Sequence, residues 1–380
     1  MSQNNSLTFE ICTNQTNPEW DQFISGISSV CHEQSSVWAD TMTLSGWSSA
    51  RVIVKENDKI VCGAQILTIE IPFFGQFGYI QQGPCIKSAE NDAVKLLIDQ
   101  IKEFTKKNKL QFTTVDMAYN LKELPQITED KDFSPHPDRL PPEAPITSTL
   151  ILDLTQELDT IMAGFKSGRR KSIRSGLKHG LEIRTGTRND IELLFDLIDQ
   201  TCKRRDTKPL YPDISFLYKL WDTFAPNKWV VMHIAETDGQ PVCASLSFTF
   251  GDTFRNSIWG WSGDYVHLNA SDVIDWKTIC WAKENGFKYY DFVHLDTISA
   301  KAILAGNNHV TEEIKERPHY GSTFYKMRFG GDVIFYPGVY SFFPSKFKKL
   351  LFTVSAKYLL NNSLIKKIIR IIRNKASHKN

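Results

Sequence analysis

Apolar residues in D-A-V-K-L-L-I-D-Q-I-K-E-F-T-K-K-N, residues 92–108, fall at Val94, Leu97, Ile98, Ile101 and Phe104. That is the spacing of one helical face. The alternating stretch Q-F-T-T-V-D follows and ends at Asp116, so the pattern predicts a helix that feeds a strand. The same order returns later: V-I-D-W-K-T-I-C-W-A-K-E-N-G, residues 273–286, reads as a helix stopped by Gly286, and F-K-Y-Y-D ends at Asp291. Upstream of each helix lies a predicted hairpin. V-K-E-N-D-K-I-V-C-G-A at 54–64 resembles I-A-E-T-D-G-Q-P-V-C-A at 234–244, with turns at Asn57-Asp58 and Asp238-Gly239.

Four ordered matches at an offset of about 175–180 residues predict an internal duplication. The expected class is α/β (α+β), with one hairpin-helix-strand unit used twice. Residues 134–145, S-P-H-P-D-R-L-P-P-E-A-P, carry five prolines and should form an irregular break between the halves. The expected division is 1–145, 146–335 and a C-terminal extension, 336–380.

The chain's 380 residues exceed what one core usually holds, which agrees with two domains. The seven cysteines are widely spaced, without C-x-x-C pairs, and fit a reducing compartment better than a disulfide framework. No basic-then-apolar leader and no run of about 20 apolar residues is seen, so a cytoplasmic chain is expected.

Charge changes the picture more. Residues 341–380 contain ten Lys or Arg and no acid, leaving 35 basic against 43 acidic residues in the first 340. In L-I-K-K-I-I-R-I-I-R, residues 364–373, Leu364, Ile365, Ile368, Ile369 and Ile372 share one helical face, and the cations line the other. A basic amphipathic helical tail of this kind suits an anionic membrane surface, or packs on the body with its basic face wet.

Hydrolase and nucleotide signatures are missing: there is no G-x-S-x-G, H-E-x-x-H, P-loop or G-x-G-x-x-G, and no metal site is expected. Two basic clusters remain. F-K-S-G-R-R-K-S-I-R-S-G-L-K-H-G, residues 165–180, offers Arg169, Arg170 and Arg174 to phosphate oxygens, or is simply a solvated helix face. Lys203-Arg204-Arg205 closes an apolar helix, where cations complement the dipole without any ligand. Finally, F-Y-K-M-R-F-G-G, residues 324–331, sets Lys326 among aromatics, with Phe324, Tyr325 and Phe329 expected to desolvate it before a glycine turn.

Taken in order, these pieces resemble the Fem family of peptidoglycan interpeptide-bridge aminoacyltransferases, over about Ser35 to Phe335. They are S-S-V-W-A-D followed by G-W, Y-I-Q-Q-G-P, the strand-end Asp116, the basic 165–180 segment, the second hairpin, W-A-K-E-N-G-F-K-Y-Y-D-F and F-Y-K-M-R-F-G-G. The resemblance implies two tandem N-acetyltransferase-like domains. It implies transfer of an amino acid from aminoacyl-tRNA to an amine on the stem peptide of a nucleotide- or lipid-linked peptidoglycan precursor, with no other cofactor. Lys326 is then the cation that stabilises the oxyanion or the leaving ribose oxygen, and Asp116 orients the acceptor amine. Tyr325, Tyr79, Arg169, Arg170, Arg174, Arg204 and Arg205 are the candidate substrate contacts. Gln82 stands where the family often has Arg, Val37 lies where a basic residue is often found, and there is no room for the long helical hairpin of some members. Two other readings stay open: an acyl-CoA-dependent N-acyltransferase of the same fold, although no R/Q-x-x-G-x-G/A loop occurs, and a non-catalytic module for an anionic ligand.

Overall fold

The computed structural model describes residues 6–71, 74–87, 91–121, 124–136, 147–211 and 213–359. Two compact units emerge: Met1–Pro145 with Tyr336–Asn380, and Ile146–Phe335. In the first, the strands are β1 (Leu7–Cys12), β2 (Ser48–Glu56), β3 (Lys59–Ile71), β4 (Gly75–Ile80), β5 (Cys85–Ile86), β6 (Thr113–Asp116) and β7 (Phe133–Pro135). In the second they are β8 (Ser148–Asp153), β9 (Glu182–Thr185), β10 (Val230–Thr237), β11 (Gln240–Phe250), β12 (Thr253–Trp261), β13 (Tyr289–Asp291) and β14 (Asp332–Phe335). A last strand, β15 (Val339–Phe342), returns to the first sheet, whose order is β1-β2-β3-β4-β6-β15-β7 with β5 on β3. The second sheet runs β14-β8-β13-β12-β11-β10-β9.

The repeated pattern folds the same way twice. Asn57 and Asp58 have φ of 48° and 62°, Asp238 and Gly239 50° and 70°, so both hairpins turn through two left-handed residues, as a two-residue loop between right-twisted strands requires. Both carry an irregularity at the same distance from the turn, after Val54 and after Ala235, where one extra residue bulges from the returning strand. In each unit a helix then crosses over to a parallel strand. Asn91–Lys107 buries Val94, Leu97, Ile98 and Ile101 and leads to β6, which pairs parallel to β4. Ala270–Glu284 leads to β13, which pairs parallel to β12. A parallel pair needs such a crossover. Its effect is to set an aspartate, Asp116 or Asp291, at the carboxyl end of the crossover strand in each unit.

The proline-rich break is less irregular than expected at its start. Ser134 and Pro135 belong to β7, an edge strand where a missing N–H is tolerated, and pair with β15. Residues 137–146 lie outside the described residues, as does the amphipathic stretch 364–373.

Gly330 and Gly331 make the turn after the lysine motif, with φ of 71° and 82°. A Cβ on Gly331 would sit 2.4 Å from the Ile151 carbonyl oxygen, because the chain passes hard against β8 before pairing with it. Gly331→Ala should therefore destabilise the protein by about 2–4 kcal/mol. Gly239→Ala, whose added Cβ meets nothing within 4 Å, should lose only about 1–2 kcal/mol of backbone energy. Urea unfolding midpoints of the two variants check the difference.

Candidate active site

In the second unit, Lys326 lies on the helix Tyr320–Met327. Its Nζ donates to the carbonyl oxygens of Val293 (2.8 Å) and His294 (3.0 Å). Those carbonyls converge because Val293 and His294 have φ of 53° and 32°. A β-branched valine there is a genuine strain, of about 1–3 kcal/mol, that the surroundings must impose. Asp291 imposes it: Oδ1 accepts the Val293 N–H at 2.7 Å and the Thr149 hydroxyl, while Oδ2 lies 3.3 Å from the Arg255 guanidinium. Asp291 and Arg255 are both almost wholly buried.

Burial lowers the Lys326 pKa to about 8, against the opposing pull of Asp291 and Asp275 and with a small push from Arg205. Phe324 plays no part in this desolvation: it is 45% exposed and stacks on Tyr320, because it leaves the helix on the side away from the lysine's carbonyl partners.

Tyr325 turns inward. Its hydroxyl donates to Asp275 Oδ2 at 2.8 Å, and Asn256 Nδ2 donates to Oδ1 at 2.8 Å and to the Tyr290 hydroxyl at 3.0 Å. Thr278 shares a hydrogen bond with that hydroxyl. Burial raises Asp275 to about 6, with the Tyr325 bond and the nearby Arg169, Lys326 and Asn256 resisting. The sequence reading missed Asp275, although a signal was present: it falls within the buried series Ile274, Thr278, Ile279 and Ala282, and an acid at a core position needs partners.

The basic segment forms a helix, Ser167–Gly176, and its arginines separate. Arg169, expected among the substrate contacts, does not face solvent and is held by partners of its own unit. It is 2% exposed, covers the Tyr325 and Phe329 rings at 4.0 and 4.4 Å, donates to the Tyr325 carbonyl and pairs with Asp272. Its guanidinium fixes the lysine helix from beneath. Arg170 caps the carbonyls of Ala163 and Phe165. Arg204 donates to the carbonyls of Trp261 and Ser262 and lies over the Trp261 ring. Arg174 and Arg205 have exposed side chains.

In the first unit, Asp116 is 2% exposed. Its Oδ2 accepts from the Tyr79 hydroxyl (3.1 Å) and Gln82 Nε2 (2.8 Å), while Oδ1 has no hydrogen-bond partner among the described residues. Burial pushes this carboxyl up to about 7, Gln82 and Tyr79 hold it down, and Glu33 adds to the rise. The separate sequence pieces meet here. Trp38 Nε1 donates to Gln81 Oε1, Gln34 Nε2 to the Gln81 carbonyl, and Trp47 lies 6.4 Å from the Tyr79 ring. Gln82 itself has φ of 51°, which aims its amide at Asp116. A neutral donor thus stands beside the carboxylate where the resemblance leads one to expect a cation.

Residues 15–131 match the family model described as the FemAB family, and residues 165–302 match the acetyltransferase (GNAT) domain. Lipid II:glycine glycyltransferase of Staphylococcus epidermidis is 25% identical over 245 residues, which is 62% of this chain and 58% of that relative. The Staphylococcus saprophyticus protein of the same name is 24% identical over 232 residues, 56% of this chain and 52% of its own length. The chain therefore spans less than two thirds of these curated relatives. Among solved structures, FemX superposes with a TM-score of 0.75 at 17% identity, over 91% of this chain and 100% of that one. A Bacteroides thetaiotaomicron protein of unknown function superposes with a TM-score of 0.53 at 12% identity, over 87% of this chain and 99% of its own. Sequence and fold together bear out the resemblance to the Fem family, with the FemAB family model on the first domain and an acetyltransferase (GNAT) domain as the second.

Proposed function

We propose that this chain is an aminoacyltransferase that moves an amino acid from aminoacyl-tRNA to an amine on the stem peptide of a peptidoglycan precursor, working at an anionic membrane surface. The observation that carries the chemistry is the setting of Lys326. An ammonium has three donors, and two of them are taken by the Val293 and His294 carbonyls, which leaves one N–H on a cation of fixed position. In the reaction the acceptor nitrogen attacks the ester carbonyl carbon and forms the C–N bond. Negative charge gathers on the carbonyl oxygen, and the C–O bond to the ribose then breaks. A fixed cation stabilises that charge, or protonates the departing ribose oxygen, without reorganising.

Asp116 fits the acceptor side. Its partnerless Oδ1 is a buried acceptor of the kind that takes an N–H of a substrate ammonium. The relatives' name, lipid II:glycine glycyltransferase, supports the precursor as acceptor and glycine as a donor group to try first. Among the described residues no helix is long and apolar enough to cross a membrane. The match of residues 165–302 to an acetyltransferase domain favours a second reading, transfer from acyl-CoA.

The deciding experiment supplies labelled aminoacyl-tRNAs, acyl-CoAs and soluble and lipid-linked precursors, and follows the label by mass spectrometry. Transfer from tRNA supports the first reading, and transfer from CoA alone replaces it with the second. A pH profile supplies a further test. Asp116 must be ionised, so kcat/KM should rise as pH passes about 7, and Lys326 must be protonated, so it should fall as pH passes about 8. Asp116→Asn should flatten the acid limb of whatever activity remains, and Lys326→Arg should move the alkaline limb upward. An unchanged profile in both variants would separate these groups from the reaction.

A further inference from the structure

The helix Lys346–Leu359 follows β15 and is pinned to the first unit along one side. Phe352 packs against Phe77 and Phe112 at 5.6 and 4.9 Å, and Lys348 Nζ donates to the Leu110 carbonyl at 2.8 Å. These two are four residues apart and share a face. The outward side carries Phe347, Leu350 and Leu351, which are 72, 61 and 51% exposed. A helix docked by one apolar side while presenting a second to solvent is the reverse of an ordinary surface helix.

We propose that the outward face of this helix, Phe347, Leu350 and Leu351, inserts into the interface of a lipid bilayer with anionic headgroups. The proposal deepens the membrane contact named above and rests on that part of the reading alone, not on the transfer chemistry.

Charge selects the occupant. Lys346 and Lys349 border the stripe on one side, and residues 341–380 hold ten cations and no acid. Two copies of this chain meeting through the face would bring two such segments together, which repel. An RNA would satisfy the lysines but gives Leu350 and Leu351 nothing to bury against. A lipid surface answers both features, since apolar side chains enter the acyl boundary while lysines stay among the phosphates. The pinned side then fixes which surface of the first unit faces the bilayer.

The test uses the full chain and phosphatidylcholine vesicles with and without phosphatidylglycerol. Wild type should co-sediment with the anionic vesicles. F347S/L350S/L351S, which keeps Lys348 and Phe352 in place, should bind them at least about tenfold more weakly at unchanged melting temperature. Phe347→Trp should show a blue-shifted emission on vesicles. Three results would overturn the proposal: no partition of wild type, equal partition of the triple variant, or a wild-type dimer that the triple variant abolishes. The second result would mean that the cations act alone. Transfer to a soluble acceptor, assayed in parallel, should be unchanged in the triple variant, so a failure of the membrane proposal is distinguishable from a failure of the transferase reading.

Discussion

Lys326→Met is expected to lower the transfer rate by about 10²–10³, the usual loss when one preorganised donor to a developing oxyanion is removed. Methionine keeps most of the stem's volume, so the helix Tyr320–Met327 should stay in place on Arg169. What disappears is the ammonium and its two bonds to the Val293 and His294 carbonyls. Because that charge is useful only once negative charge has gathered on the ester oxygen, the loss should fall on kcat and leave KM for the donor little changed. Lys326→Arg keeps a cation, but its planar fork cannot place one N–H on each carbonyl and one outward in the same way, so it should recover only part of the rate. Single-turnover transfer from labelled aminoacyl-tRNA measures all three proteins. A methionine variant that transfers at the wild-type rate would remove Lys326 from the chemistry and leave it a structural clamp on a strained loop.

The fold was legible wherever a local pattern decided it. The two hairpins follow from left-handed turn residues between alternating strands, and the crossover helices from a 3.6-residue apolar period. Asp116 and Asp291 stood out because an acid that ends an apolar strand has few reasons to be there. The lysine site was legible in its residues but not in its geometry. Lys326 sits on a helix whose burial depends on Arg169 beneath it, and the return of β15 to the first sheet depends on pairing across more than 200 residues. Arg169 shows the limit most clearly. In sequence it is one of six cations between Phe165 and Gly180, and only Asp272, about a hundred residues later, makes it a buried structural ion. Likewise no period or motif announces that Val293 takes a left-handed conformation, in which Lys326 holds its carbonyl and Asp291 its N–H.

That last contact carries the other large effect. Asp291→Ala should destabilise the second unit by about 3–5 kcal/mol, as expected when one partner of a buried ion pair is removed and the other stays. The variant takes the carboxylate from Arg255 and the acceptor from both Thr149 and Val293. Asp291→Asn keeps an acceptor for Val293 and Thr149 but not the charge, so it should separate the two roles. If charge pairing dominates stability, Asp291→Asn should lose most of what alanine loses, and adding Arg255→Gln should restore part of it, a coupling that urea midpoints of the double-mutant cycle would reveal. The same variant reports on positioning. Asp291 is the largest influence favouring the charged form of Lys326, so its neutralisation should lower the lysine's pKa further and move the alkaline limb of the rate profile below about 8. A purely structural aspartate would change stability and leave that limb where it was. Movement of the limb would instead show that the charge at the end of β13 tunes Lys326, which would make Asp291 a positioning group as well as a structural one.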